Sequence, residues 1–246
     1  MKNFPKYLAT ELKLRFRLPV SVFFIFIFPI FLMVVFAESF GQQMPNYIPE
    51  NISLIMFYAV LSASVVSFSN DISAYKNDNF YFLLERRAGS KIAYLLAQLA
   101  AFVLIIFLST LAILAVAHLR YSYVLPDLGT LLLFYIKLYI YSCPFFLLAI
   151  IIGLLSKTAS MASAIATPLM FISYFLGGMM VPYAGFTGTI KTVSGHFFLT
   201  QLLSDLTHTL TNNYTVRPNW SLIALSVGAI LLVAVFVLKN SAFVRK

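Results

Sequence analysis

Residues 92–119 read IAYLLAQLAAFVLIIFLSTLAILAVAHL, 28 positions without an acidic or strongly basic side chain. As an α-helix this stretch is about 42 Å long, more than the ~30 Å of hydrocarbon in a bilayer. Its apolar residues are continuous instead of alternating, which fits a helix and excludes a strand of a membrane barrel. Working outward, similar runs fall at 20–40, 52–69, 128–155, 160–181 and 221–238. The chain of 246 residues is therefore expected to be an all-α membrane protein with six transmembrane helices.

Composition agrees. Hydrophobic residues make up 61% and charged residues 10%, with a mean hydropathy of +0.92. A soluble domain carries roughly 25% charged residues, and a fold of this size could not bury so much apolar surface. The first apolar run is too long for a cleavable signal peptide, and a basic segment of nearly twenty residues precedes it. The net charge of +9 reflects topology and not nucleic-acid binding, because the basic residues sit between the apolar runs. Thirteen of the 17 Lys and Arg fall at the two ends, in the 70–91 loop and in the 156–159 loop. That bias places both termini in the cytoplasm of a multi-pass plasma-membrane protein, and an even number of spans requires the same.

Residues 1–18 have the periodicity of an amphipathic helix lying in the membrane interface. Lys6, Lys13 and Arg17 occupy its polar face, while Glu11 and Arg15 intrude on the apolar face at a spacing that lets them pair. Pro19 ends it before the first span. The loop after the second span holds Phe80-Tyr81-Phe82-Leu83-Leu84 between charges, a composition suited to a protein contact. The 183–215 segment is expected to form a hairpin dipping into the outer leaflet, with Gly178, Pro182 and Gly195 breaking helices around Phe197.

Catalytic chemistry is missing. No His-Glu-x-x-His pair and no phosphate-binding Gly-x-x-x-x-Gly-Lys-Ser/Thr loop occurs. Cys143, the single cysteine, has no metal-spaced neighbours and reads as a small buried hydrophobe. Lys137, about ten residues into the fourth run, reads as a side chain snorkelling outward.

Two stretches carry a family resemblance. DISAYKNDNFYFLLERRAGSKIAYLLAQ (71–98) and FLGGMMVPYAGFTGTIKTVSGHFFLTQL (175–202), within the six-span layout, resemble the permease subunits of type-2 ABC exporters. The resemblance implies that residues 77–87 form a coupling helix docking on a separate P-loop ATPase, with Phe80, Tyr81, Leu83, Leu84, Glu85, Arg86 and Arg87 as contacts. It implies alternating access between two six-span halves, a second copy or a sibling permease supplying the other half. The chain itself would bind no cofactor; ATP and Mg would sit on the partner. The cargo implied is an amphipathic or hydrophobic peptide, drug, lipid or glycolipid. The small residues of the fifth run, with Gly177 and Gly178, would permit close helix contact between halves. An ion-coupled secondary transporter, or a sensor or anchor subunit without transport of its own, is the alternative.

Overall fold

A computed structural model describes residues 3–41, 44, 46–86 and 90–240, with the backbone alone for 20 and 21. Its main helices are α1 (Phe4–Arg17), α2 (Phe23–Phe40, led into by a helical turn at Pro19–Val22), α3 (Tyr47–Asn77), α4 (Phe80–Arg86), α5 (Lys91–Tyr121), α6 (Leu128–Leu155), α7 (Ala159–Leu176), α8 (Gly188–His196), α9 (Phe198–Thr211) and α10 (Trp220–Asn240). No strand occurs among the described residues. Helices α2, α3, α5, α6, α7 and α10 are each long and apolar enough to cross a membrane. Six crossings put α1 and the α3–α5 connection on one face of the bundle, called here the proximal face.

Side-chain caps fix where the spans start. The hydroxyl of Ser90 accepts from the Ala93 amide, Asp127 accepts from the Thr130 amide, and Thr158 accepts from the Met161 amide. Each satisfies a backbone donor that the first turn leaves free. Ends are set by left-handed residues: Asn79 between α3 and α4, Ser122 after α5, and Asn212 after α9. Asparagine tolerates this conformation better than most residues.

Several boundaries differ from the sequence reading. The second span is not 52–69 but the longer Tyr47–Asn77. Its serines do not end the helix, because Ser64 and Ser69 donate to carbonyls one turn back, at Val60 and Val65. The fifth span stops at Leu176 and not at 181. Gly178 there takes a φ of +73°, and the hydroxyls of Ser194 and Thr200 donate to the last helical carbonyl, Leu176. The helix expected at 77–87 is Phe80–Arg86, starting only after the left-handed Asn79.

Helix α3 is the axis of the bundle and the most enclosed span; α10, α7 and α2 are the least. Small and hydroxylic groups let the helices meet closely. A Cβ on Gly153 of α6 would stand 2.7 Å from the Cβ of Ile72 on α3. Ser62 of α3 hydrogen-bonds Tyr174 of α7 at 2.7 Å, and Ser53 of α3 hydrogen-bonds Thr207 of α9 at 2.6 Å. The hydroxyl of Ser109 on α5 donates to the Ile25 carbonyl of α2. Around these contacts Phe57, Phe68, Phe102, Phe145 and Phe146 form an edge-to-face aromatic core. Cys143 is exposed on α6, not buried as expected; its helix turns that face away from the bundle.

Candidate functional site

The proximal face carries three linked features. The first is α4. Phe80 and Tyr81 turn inward, where Tyr75 of α3 and Tyr94 of α5 stack around them, with ring centroids 4.9 Å apart for Tyr75–Phe80 and 4.8 Å for Phe80–Tyr94. Tyr81 is buried, and that burial raises its phenol pKa above the ordinary value. Phe82 and Leu83 face outward, each 52% exposed, and the Arg86 guanidinium lies 4.4 Å over the Phe82 ring. Glu85 pairs with Lys91 at 3.0 Å, tying α4 to the start of α5. Leu84 is half-buried. Of the contact residues read from sequence, the structure therefore separates two anchors, Phe80 and Tyr81, from an outward set, Leu83, Glu85 and Arg86, with Leu84 between them; Phe82, which the sequence reading did not single out, joins the outward set, and Arg87 lies outside the described residues. A short helix held by aromatic anchors presents its outward side chains rigidly.

The second feature is a buried charge cluster. Helix α1 packs on α5, and its Glu11 and Arg15 are 0% and 3% exposed. They pair with each other at 3.1 Å, at the spacing the sequence suggested. What the sequence did not reveal is the third member: Arg15 also pairs with Asp71 of α3. Tyr75 donates to Glu11 at 2.9 Å, Tyr94 donates to the same oxygen, and Arg15 lies 4.5 Å over the Phe102 ring. Burial opposes the charge on Arg15, but Asp71 and Glu11 outweigh it and hold its pKa above the ordinary value. Lys6, Lys13 and Arg17 stay exposed on the far side of α1 beside exposed Leu14 and Phe16.

The third feature is a cleft of about 380 Å³ between the start of the first span, α3 and α7. Its wall on α3 comes from a π-helical stretch, Ser62–Phe68, and Asp71 borders it. Such stretches are frequent at functional sites because the widened turn re-aims side chains.

On the opposite face, the sequence-marked Gly178, Pro182, Gly195 and Phe197 surround α8 and α9. Pro182 opens a tight turn whose carbonyl accepts from the Gly185 amide at 2.8 Å, and a Cβ on Gly195 would stand 2.9 Å from the Tyr183 hydroxyl. Phe197 links α8 to α9. Helix α9 is not a surface segment: Leu199, Leu202, Leu203 and Leu206 are buried against α3 and α6. It also carries the partner of Lys137. The Lys137 ammonium does not snorkel away; it donates to Asp205 at 2.7 Å and to Thr209 at 3.0 Å, while Tyr141 donates to the same Asp205 oxygen at 2.5 Å. A buried carboxylate 68 residues later in the chain supplies a better site for the charge than the headgroups do. No group of three or more His, Cys, Asp or Glu placed to hold a metal occurs among the described residues.

The six spans, the buried intramembrane polar pairs and the anchored loop helix define a polytopic helical membrane protein. A sequence model of the ABC-2 type transporter family matches residues 6–210, and the chain belongs to that family. No curated protein and no solved structure matches the chain significantly. The match makes it a permease subunit of an ABC-type transporter, a membrane transport component that is not itself catalytic; such subunits typically work with an ATPase subunit.

Proposed function

We propose that this permease exports an amphipathic or hydrophobic cargo by alternating access, driven by a separate P-loop ATPase that docks on α4. The observation that carries the reading is the split of α4 into buried anchors and an exposed apolar-plus-charged face. Phe82 and Leu83 offer the aromatic and aliphatic contacts that dominate protein interfaces, and Glu85 and Arg86 beside them fix register. Because Phe80 and Tyr81 are packed on Tyr75 and Tyr94, movement of α4 carries the ends of α3 and α5 with it. In this reading the proximal face and both termini are cytoplasmic, as the Lys and Arg distribution supports. Helix α1 lies along the inner leaflet with Lys6, Lys13 and Arg17 toward the headgroups, and α8 and α9 form the outer hairpin. The other half of the transporter is a second copy or a sibling permease. ATP and Mg belong to the partner ATPase.

Affinity purification of the tagged chain from its native membranes tests this. A P-loop ATPase identified by mass spectrometry is expected to accompany it and to be lost on Phe82→Asp or Arg86→Glu. An ATPase retained by both variants would remove α4 as the docking element. No associated ATPase, with uptake or release responding to an ion gradient, would favour the ion-coupled alternative.

A further inference from the structure

Lys76, in the last turn of α3, is a half-buried cation without a carboxylate: among the described residues no ion pair includes it. Its ammonium instead donates to two main-chain carbonyls, Leu154 at 2.8 Å and Ser156 at 2.5 Å, where α6 ends and the turn to α7 begins. That end of α6 lacks other means of closure. Its last turn carries no basic side chain, and Ser156 after it is extended, so the left-handed turn that satisfies the last carbonyls of many helices is missing. A cation placed there also opposes the negative end of the helix dipole. Lys76 therefore supplies from α3 what α6 does not supply for itself.

We propose that Lys76 is the positioning residue that passes a displacement of α4 to α7, so that the α6–α7 turn moves with the docking helix. The proposal rests on the permease reading above, in which an ATPase acts on α4. The path begins at Phe80 of α4, whose ring centroid lies 4.9 Å from that of Tyr75, the neighbour of Lys76 in α3. Tyr81 of α4 and Leu154 of α6 line the same small cavity, with Leu95 of α5 and Leu238 of α10, so α4 sits over the end of α6. Lys76 holds the carbonyls on either side of Leu155, and two residues beyond Ser156 the Thr158 side chain caps α7. Deeper in the bundle, Ile72 lies against Gly153, and Ser163 of α7 donates to Asn70 at 2.9 Å. Those contacts are one to two helical turns further in; Lys76 is the side chain that reaches the turn itself. A cap alone would hold the end of α6 without making it respond to α4. The two roles differ in that response.

Hydrogen exchange of the full chain in phospholipid nanodiscs, read by mass spectrometry at single amides, separates them. The reporter is the Ser156 amide, which donates to the Ile152 carbonyl at 3.0 Å; the Thr130 amide, at the other end of α6, is the control. Lys76→Met is expected to lower protection at Ser156 about tenfold, the worth of a hydrogen bond to a charged donor, and to leave Thr130 unchanged. Lys76→Arg keeps the charge and several donors and is expected to stay within about threefold of the native chain. Phe80→Ala loosens α4 on Tyr75 and Tyr94. It is expected to lower protection at Ser156 at least about twofold in the native chain and to add nothing in the Lys76→Met chain, the non-additivity of coupled residues. A Ser156 amide indifferent to Phe80→Ala would leave Lys76 a local cap and overturn the proposal. So would effects of the two substitutions that simply add, or an equal loss at Thr130, which marks general loosening. No ATPase is present in this assay, so its failure leaves the α4 docking experiment standing, and failure of that experiment leaves the measured link between α4 and the α6–α7 turn standing.

Discussion

Replacing Arg15 by methionine removes the one guanidinium shared by Glu11 and Asp71 while keeping most of the packing against Phe102. The local charge falls from one excess negative to two, at a site where Glu11 is 0% and Arg15 3% exposed. Breaking a buried ion pair by deleting one partner costs about 3–5 kcal/mol, because the charge left behind has lost both water and partner. For a chain of this length each kcal/mol moves the unfolding midpoint by roughly 2–4 °C, so a drop of about 6–20 °C is expected. The double variant Arg15→Met/Asp71→Asn restores the original excess of one negative charge, which Glu11 still shares with the Tyr75 and Tyr94 hydroxyls. It should therefore recover at least about half of the loss. The assay is thermal unfolding in nanodiscs, followed by the fraction remaining monodisperse on gel filtration. A shift of the single variant below about 2 °C, or a double variant no more stable than the single, would refute the claim that the trio is desolvated and shares one cation.

Two further outcomes follow from packing and pairing elsewhere. Gly153→Val puts a branched side chain where a Cβ alone would meet Ile72 at 2.7 Å and the Ser69 carbonyl at 2.8 Å, so α3 and α6 must separate. Its expected cost is about 1–3 kcal/mol, read as reduced thermal stability, and Ile72→Ala in the same chain should offset part of it. Asp205→Asn strands Lys137 beside Thr209, and Lys137→Met strands Asp205 beside Tyr141. Since Lys137 is 26% exposed and partly screened, each is expected to cost about 1–3 kcal/mol, and the double variant less than their sum in a double-mutant cycle.

The membrane class and the six spans were legible from residues because they depend on local composition: about twenty consecutive apolar residues have no stable place except in lipid. The Glu11–Arg15 pair was legible for the same reason, since residues four apart on a helix are neighbours whatever the fold. The ends of the second and fifth spans were not, because they depend on where hydroxyls find acceptors. Ser64 and Ser69 bond within their own helix, whereas the Leu176 carbonyl is met by Ser194 and Thr200 from another element.

Tertiary structure decided how the charges are used. In the sequence Lys137 looked like a lone cation with a route to the headgroups; folding brings Asp205 to it from 68 positions away. Nothing in the sequence set Asp71 apart; folding makes it the third charge of a cluster and the border of a cleft. Residues 80–84 looked uniformly apolar, and only the packing of α4 on Tyr75 of α3 and Tyr94 of α5 makes Phe80 and Tyr81 anchors while Phe82 and Leu83 face out. Hydropathy is a property of a segment and can be read along the chain. Charge compensation is a property of pairs, and the pairs exist only once helices distant in sequence are packed side by side.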